Sequence, residues 1–144
     1  MNVVTVQQAT YLKKYGFNEK CFYYYENDKL KTFDKQITYD DDIITLHDVE
    51  DSINQNNYLN CFDAPTLNQT HEWIISKGYY IHVYPGIFGY KTFYTKWCVE
   101  IIDIKFPNNK ETILTTFDTY PQALSEGITI FLTKIAKYNE SKSN

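Results

Sequence analysis

Arginine is absent from this sequence, and all 14 of its basic residues are lysines. Without a guanidinium fork the chain has no bidentate partner for phosphate, carboxylate or guanine, which removes the commonest route to sequence-specific DNA contacts. Lys, Asn, Ile, Tyr and Phe share AT-rich codons, so codon composition accounts for the imbalance, but its physical consequence stands whatever its origin. Glycine is also scarce. The five glycines, at positions 16, 78, 86, 89 and 127, fit neither G-x-x-x-x-G-K nor G-x-G-x-x-G, so nucleotide binding by those phosphate-cradling loops is excluded. Cys21, Cys61 and Cys98 are odd in number and contain no C-x-x-C pair. They read as reduced thiols rather than a disulfide framework or a zinc site. No apolar run approaches the roughly 20 residues that span a bilayer, and the start, Met-Asn-Val-Val-Thr, lacks the basic segment and apolar core of a secretory signal. These absences point to a cytoplasmic protein with no membrane partner.

Catalytic and metal signatures are missing too. His47, His71 and His82 stand alone, with no H-x-x-x-H or H-E-x-x-H spacing to put two ligands on one helical face. The run Asp40-Asp41-Asp42 fails as a calcium loop, because an EF-hand needs Gly at its sixth position and Glu at its twelfth, where this chain has Thr45 and Asp51. Cys98, between Trp97 and Val99, reads as a packed strand thiol, and Cys61 as a more accessible loop thiol without an activating neighbour. No catalytic residue, metal or cofactor is therefore expected.

What the chain does have is aromatic mass and clear element boundaries. Its 144 residues include 14 tyrosines, a length that reads as one domain able to bury a core without disulfides. Thr5 with Gln8, Thr66 with Gln69 and Thr119 with Gln122 repeat one capping-box signature, predicting helices over 5–15, 66–78 and 119–138. Gly16 and Gly78 are placed to stop the first two, and Pro121 sits in the first turn of the third. The third carries a stripe of Leu124, Gly127, Ile128, Phe131, Leu132, Ile135 and Tyr138 at helical spacing. Between the last two helices, Tyr79–Tyr84, Phe93–Phe106 and Thr112–Phe117 read as a three-stranded meander, turned at Pro85-Gly86 and Pro107-Asn108-Asn109. Ile101-Ile102 breaks the alternation and predicts a bulge there. Trp97, Val99, Ile101, Phe117, Ile128 and Phe131 are the expected core. Upstream, Cys21–Glu26 and Leu30–Phe33 form a hairpin about Asn27-Asp28-Lys29, and Ile37–Tyr39 and Ile43–Leu46 are short strands flanking the aspartates. The Asn-rich stretch 48–60 reads as a mobile loop. The expected fold is α+β: a single domain with an antiparallel sheet, centred on a three-stranded meander, and helices packed on it. Residues 1–60 hold the first helix, hairpins and acidic loop, and 61–140 the helix–meander–helix.

Two features suggest a surface. Between Gln36 and Ser76 there is no lysine, while Asp40, Asp41, Asp42, Asp48, Glu50, Asp51, Asp63 and Glu72 give −8 in a chain of net charge −4. Such a stretch is either a solvated loop or the part that meets a basic partner. In the first meander strand, Tyr79, Ile81 and Val83 share one face, and Tyr80, His82 and Tyr84 the other. If the apolar set packs on the last helix, the second set points outward, and Tyr90, Phe93 and Tyr94 extend it. That face would be a stacking platform for single-stranded nucleic acid, a protein-binding patch, or a second core surface.

The order "VTVQQATYLKKYGF", a tyrosine-rich strand, "CFDAPTLNQTHEWIISKGYYIHV" and "TFDTYPQALSEGITIFLTKI" resembles, over nearly the whole chain, a group of small proteins of phages and prophages of Bacteroidetes-type bacteria. That group has no assigned activity, so no functional residue carries over. The resemblance implies an accessory protein of a mobile element, acting in the host cytoplasm, where inhibitors of host defence such as anti-CRISPR proteins are a frequent class. The expected function is non-catalytic binding to a host protein with a basic surface. Its candidate contacts are Asp40, Asp41, Asp42, Asp48, Glu50 and Asp51, with Tyr80, His82 and Tyr84. A nucleic-acid-binding accessory protein using the aromatic face is the alternative, disfavoured by the negative charge and Lys-only basicity; a small enzyme comes third. If the aspartates steer association, replacing Asp40, Asp41 and Asp42 by Asn slows binding to a basic partner at low ionic strength while the melting temperature holds or rises slightly. Stopped-flow rates for parent and variant measure this.

Overall fold

The computed structural model describes residues 2–32, 34–39, 42–47 and 61–143. The chain divides into two compact units, Val3–Thr66 and Leu67–Asn144, with Asn2 counted in the second. Together they make an α+β fold of antiparallel sheets with helices.

In the first unit, helix α1 (Val6–Lys14) opens as its sequence predicts. The Gln8 N–H donates to Thr5 Oγ1 at 3.2 Å, and the Thr5 N–H donates to Gln8 Oε1 at 2.8 Å. Two of the N–H groups that a helix start leaves orphaned are thereby satisfied. At the other end Gly16, at φ +84°, lets the Phe17 N–H reach back to the Leu12 carbonyl at 2.9 Å. Strands β1 (Tyr23–Glu26) and β2 (Lys29–Thr32) form a hairpin whose two loop residues, Asn27 and Asp28, have φ of 50° and 62°. Positive φ at both positions defines the turn whose twist matches that of paired strands. Strands β3 (Asp34–Tyr39) and β4 (Asp42–His47) pair only with each other among the described residues. Strand β5 (Cys61–Asp63) adds to β1, giving the order β2-β1-β5. Ala9, Leu12 and Phe17 are buried with Val4, Cys61 and Ala64. The Tyr25 hydroxyl donates to the Val4 carbonyl at 2.9 Å, and burial raises its pKa. Cys61 is thus a buried strand residue rather than an accessible loop thiol, because Glu26 of β1 takes it as a register partner. The stretch 48–60, expected as a loop, lies outside the described residues.

In the second unit, α2 (Leu67–Ser76) runs into a meander of β6 (Tyr79–Phe88), β7 (Tyr94–Asp103) and β8 (Lys110–Phe117), in the order β6-β7-β8. Helix α3 (Tyr120–Ile130) follows, again with a capping box, here between Thr119 and Gln122. It continues through a π-helical stretch (Phe131–Ile135) into α4 (Ala136–Ser143). The expected uninterrupted α-helix is therefore corrected: the Ala136 N–H donates to the carbonyl of Phe131, five residues back.

Ala123, Leu124, Gly127, Ile128, Phe131 and Leu132 are buried on the helix, against Ile81, Val99 and Ile101 of the sheet. The closest approach is at Gly127, where a Cβ would lie 2.5 Å from Ile81 Cγ2 and 3.0 Å from Val99 Cγ2. Of the six expected core residues, Val99, Ile101, Ile128 and Phe131 are buried, but Trp97 and Phe117 are only half-buried. They sit where the helix begins, and Trp97 meets Tyr120 edge-on at 5.5 Å instead of lying under the helix stripe.

Two turn and register expectations are also corrected. Pro85-Gly86 does not turn the chain: β6 runs on to Phe88 in unbroken register with β7, and the reversal occurs at Gly89, φ +116°. The irregularity falls between Trp97 and Val99 against β8, not at Ile101-Ile102, whose residues face opposite sides of a regular ladder. No helix among the described residues is long and apolar enough to cross a membrane. The Gly127 contact makes Gly127→Ala destabilising: the methyl overpacks two stiff β-branched side chains, costing about 1–3 kcal/mol, against which the helix gains about 1 kcal/mol. Urea denaturation is expected to show a net loss.

Candidate functional site: an aromatic strip on the meander

Strand β6 alternates as its sequence predicts. Ile81 is buried beneath α3, and Tyr79 meets Phe131 at 5.3 Å between ring centroids. Tyr80, His82 and Tyr84 occupy the opposite face, with centroids 6.4 Å apart from Tyr80 to His82 and 4.8 Å from His82 to Tyr84. Tyr80 is 41% exposed. His71 of α2 adds a fourth ring, 5.0 Å from Tyr80. Beyond Tyr84 the strip has a gap at Gly86, which the Phe88 ring fills: a Cβ on Gly86 would meet Phe88 Cε2 at 2.7 Å and Cys98 Sγ at 2.9 Å. Glycine is required here by close packing, not by a turn. Phe88 in turn stacks on Tyr94 at 6.1 Å.

The polar groups of this face converge on Glu100, the register partner of His82. Its Oε1 accepts from the Tyr84 hydroxyl at 3.4 Å and from Lys110 Nζ at 3.3 Å, and His82 Nδ1 lies 3.8 Å from Oε2. Burial, and then the Glu100 carboxylate, raises the Tyr84 pKa. Lys96 is ion-paired with Asp118. Cys98, expected as packed, is half-buried on this same face.

The free edge of β6 is blocked at two points. The Ile81 N–H donates away from the sheet to His71 Nε2 at 3.1 Å. In an antiparallel ladder alternate residues turn their N–H to the same side, so Pro85, four residues on, directs its missing N–H to that edge too. A proline there costs no ladder bond and, like the histidine, blocks an added strand. Sequence reasoning missed His71, because its partner meets it only in space.

The other expected contacts are not brought to this strip by anything described. Asp40, Asp41, Asp48, Glu50 and Asp51 lie outside the described residues, and Asp42 opens β4 opposite Tyr39. Among the described residues no group of three or more His, Cys, Asp or Glu could hold a metal ion. Two clefts in this unit, of about 270 Å³ beside Tyr79, Asp103 and Lys110 and about 450 Å³ beside Phe117, Asp118 and Glu126, are lined by no buried titratable side chain. No family model matches the chain, and neither a curated protein nor a solved structure does.

His71 gives this site a pH dependence. Its Nε2 accepts a hydrogen bond only when neutral, and burial lowers its pKa from 6.5, opposed by the Glu72 charge. As pH falls below 6.5 the unfolded chain takes up this proton before the folded one, so stability falls until the folded pKa is passed. His71→Gln keeps an acceptor for Ile81 and cannot titrate. Between pH 7.5 and 5.5 its melting temperature is expected to fall less than the parent's.

Proposed function

We propose that this protein is a non-catalytic binding protein that holds a protein partner against the outward face of its second unit's sheet. The observation that carries the reading is the row Tyr80, His82 and Tyr84, lying in contact with water on a strand whose edge is blocked at Ile81 and Pro85. With His71 and Pro85 blocking strand addition, a partner engages the side chains face-on. Tyrosine suits that use because it offers large contact area at low ordering cost.

The ring spacing also suits base stacking, but the cations of this face count against a nucleic acid. Lys110 is held by Glu100 and Lys96 by Asp118, leaving little to neutralise a phosphate chain. Asp40, Asp41, Asp42, Asp48, Glu50 and Asp51 would steer a basic partner toward the chain. Inhibition of a host defence system, in the cytoplasm, is the specific role that the resemblance implies.

Affinity capture from a bacterial lysate, run in parallel with the parent and Tyr80→Ser/Tyr84→Ser, tests the reading. The parent is expected to retain a protein that the variant loses, with roughly 2 kcal/mol or more lost in binding to that purified partner. Identical captures would sink the proposal, and a nuclease-sensitive capture would move the site to nucleic acid.

A further inference from the structure

Strand β8 accompanies β7 only as far as Trp97, which pairs with Phe117. Past that point Gly86, Ile87 and Phe88 pair with Lys96, Thr95 and Tyr94 alone. The β6–β7 hairpin therefore leaves the sheet as a two-stranded arm of about 10 Å before its turn. We propose that the tip of this arm is an interfacial membrane anchor, placing Ile87, Tyr90 and Phe93 among the headgroups and upper acyl chains of an anionic bilayer. The tip enters this interfacial layer and does not span the bilayer.

Exposure at the tip is high: Ile87 75%, Tyr90 91%, Phe93 72% and Tyr94 52%. With Phe88, the four rings present roughly 400–600 Å², taking about 150–250 Å² for each ring. That equals the largest apolar patch of a typical monomer, a size that marks an interaction site.

Geometry separates a bilayer from a protein groove as the occupant. Phe88 and Tyr94 lie on one face of the ribbon and Ile87 on the other, with Tyr90 and Phe93 in the turn. A protein groove covers one face of a strand pair and leaves the second wet. An arm with rings on one face, Ile87 on the other and more rings at its tip fits a layer that it enters tip-first, and the outward backbone groups of Ile87 and Thr95 hold the ribbon at headgroup depth, within reach of water. Rings that are large and partly polar, beside lysine, are the residues that bilayer interfaces favour.

Charge complementarity selects the lipid. No carboxylate occurs between Glu72 and Glu100, while Lys91 sits in the turn. Lys96 is neutralised by Asp118 at the arm's base, so Lys91 is the cation that meets an anionic headgroup, its stem able to lie along the apolar layer while the ammonium stays in water. Attraction is then mainly apolar, with a modest electrostatic part.

Co-sedimentation of the full chain with phosphatidylcholine vesicles, with and without phosphatidylglycerol, tests this. The parent is expected to bind the anionic vesicles more tightly than the neutral ones. Tyr90→Ser/Phe93→Ser is expected to lose about tenfold or more, and Lys91→Gln to lose the preference for anionic lipid. Both variants alter exposed side chains, and their circular dichroism is expected to match the parent's. Tyr80→Ser/Tyr84→Ser binds vesicles like the parent, which separates this anchor from the protein-binding face. Absence of vesicle binding overturns the proposal, as does equal binding by the Tyr90/Phe93 variant. A lipid-free dimer abolished by that variant would also overturn it, by assigning the tip to a second copy of the chain.

Discussion

The second unit depends on a helix backbone resting directly on two β-branched side chains. At Gly127 nothing separates α3 from Ile81 and Val99, so helix and sheet meet more closely than any side chain at that position would allow. The approach seats Leu124 and Ile128 to either side and brings Phe131 down onto Tyr79. It also decides which way β6 faces. With Ile81 committed to the helix, the two-residue period of a strand leaves Tyr80, His82 and Tyr84 no choice but the opposite face. The candidate binding surface is in this sense a by-product of where a helix lacks a side chain.

A sheet of three strands has two edges, and an unpaired edge invites another chain. On β6 the protection is chemical: an imidazole nitrogen takes one outward N–H and a proline deletes another. On β8 the register shift against β7 interrupts the regular ladder. Blocking the β6 edge at these two points while leaving rings on its face separates aggregation from recognition. Backbone pairing is indifferent to sequence, whereas contact through side chains is not.

Much of this was legible beforehand, for reasons that differ by element. Helix starts were readable because Thr5 with Gln8 and Thr119 with Gln122 interact over three residues, so their chemistry is local. The hairpin at Asn27-Asp28 was readable because these residue types tolerate positive φ. Pro85-Gly86 misled because the pair that makes a turn also suits an edge strand with a ring folded over its glycine. Only the position of Phe88 and Cys98 distinguishes the two. Cys61 misled because three residues are too short a strand to show alternation, and β1 recruits them across the fold. At the candidate site, Tyr80, His82 and Tyr84 followed from strand periodicity alone. His71 and the point where the arm leaves the sheet did not, since both depend on which residues meet in three dimensions.

The π-helical stretch from Phe131 to Ile135 has its own consequence for the end of the chain. A turn that closes over five residues holds one more than an α-helical turn, so everything after it is rotated by about 100° relative to an uninterrupted helix. Asn139 donates to the Tyr79 hydroxyl at 2.9 Å in this rotated frame. The stretch thus works as a phase adjustment between two rigid rods. The first rod is keyed to the sheet through Gly127, the second through the hydrogen bond from Asn139 to Tyr79, and the count of residues between them sets their angular offset. Length here is a coded quantity: losing one residue would leave both rods helical while turning the second away from its tyrosine.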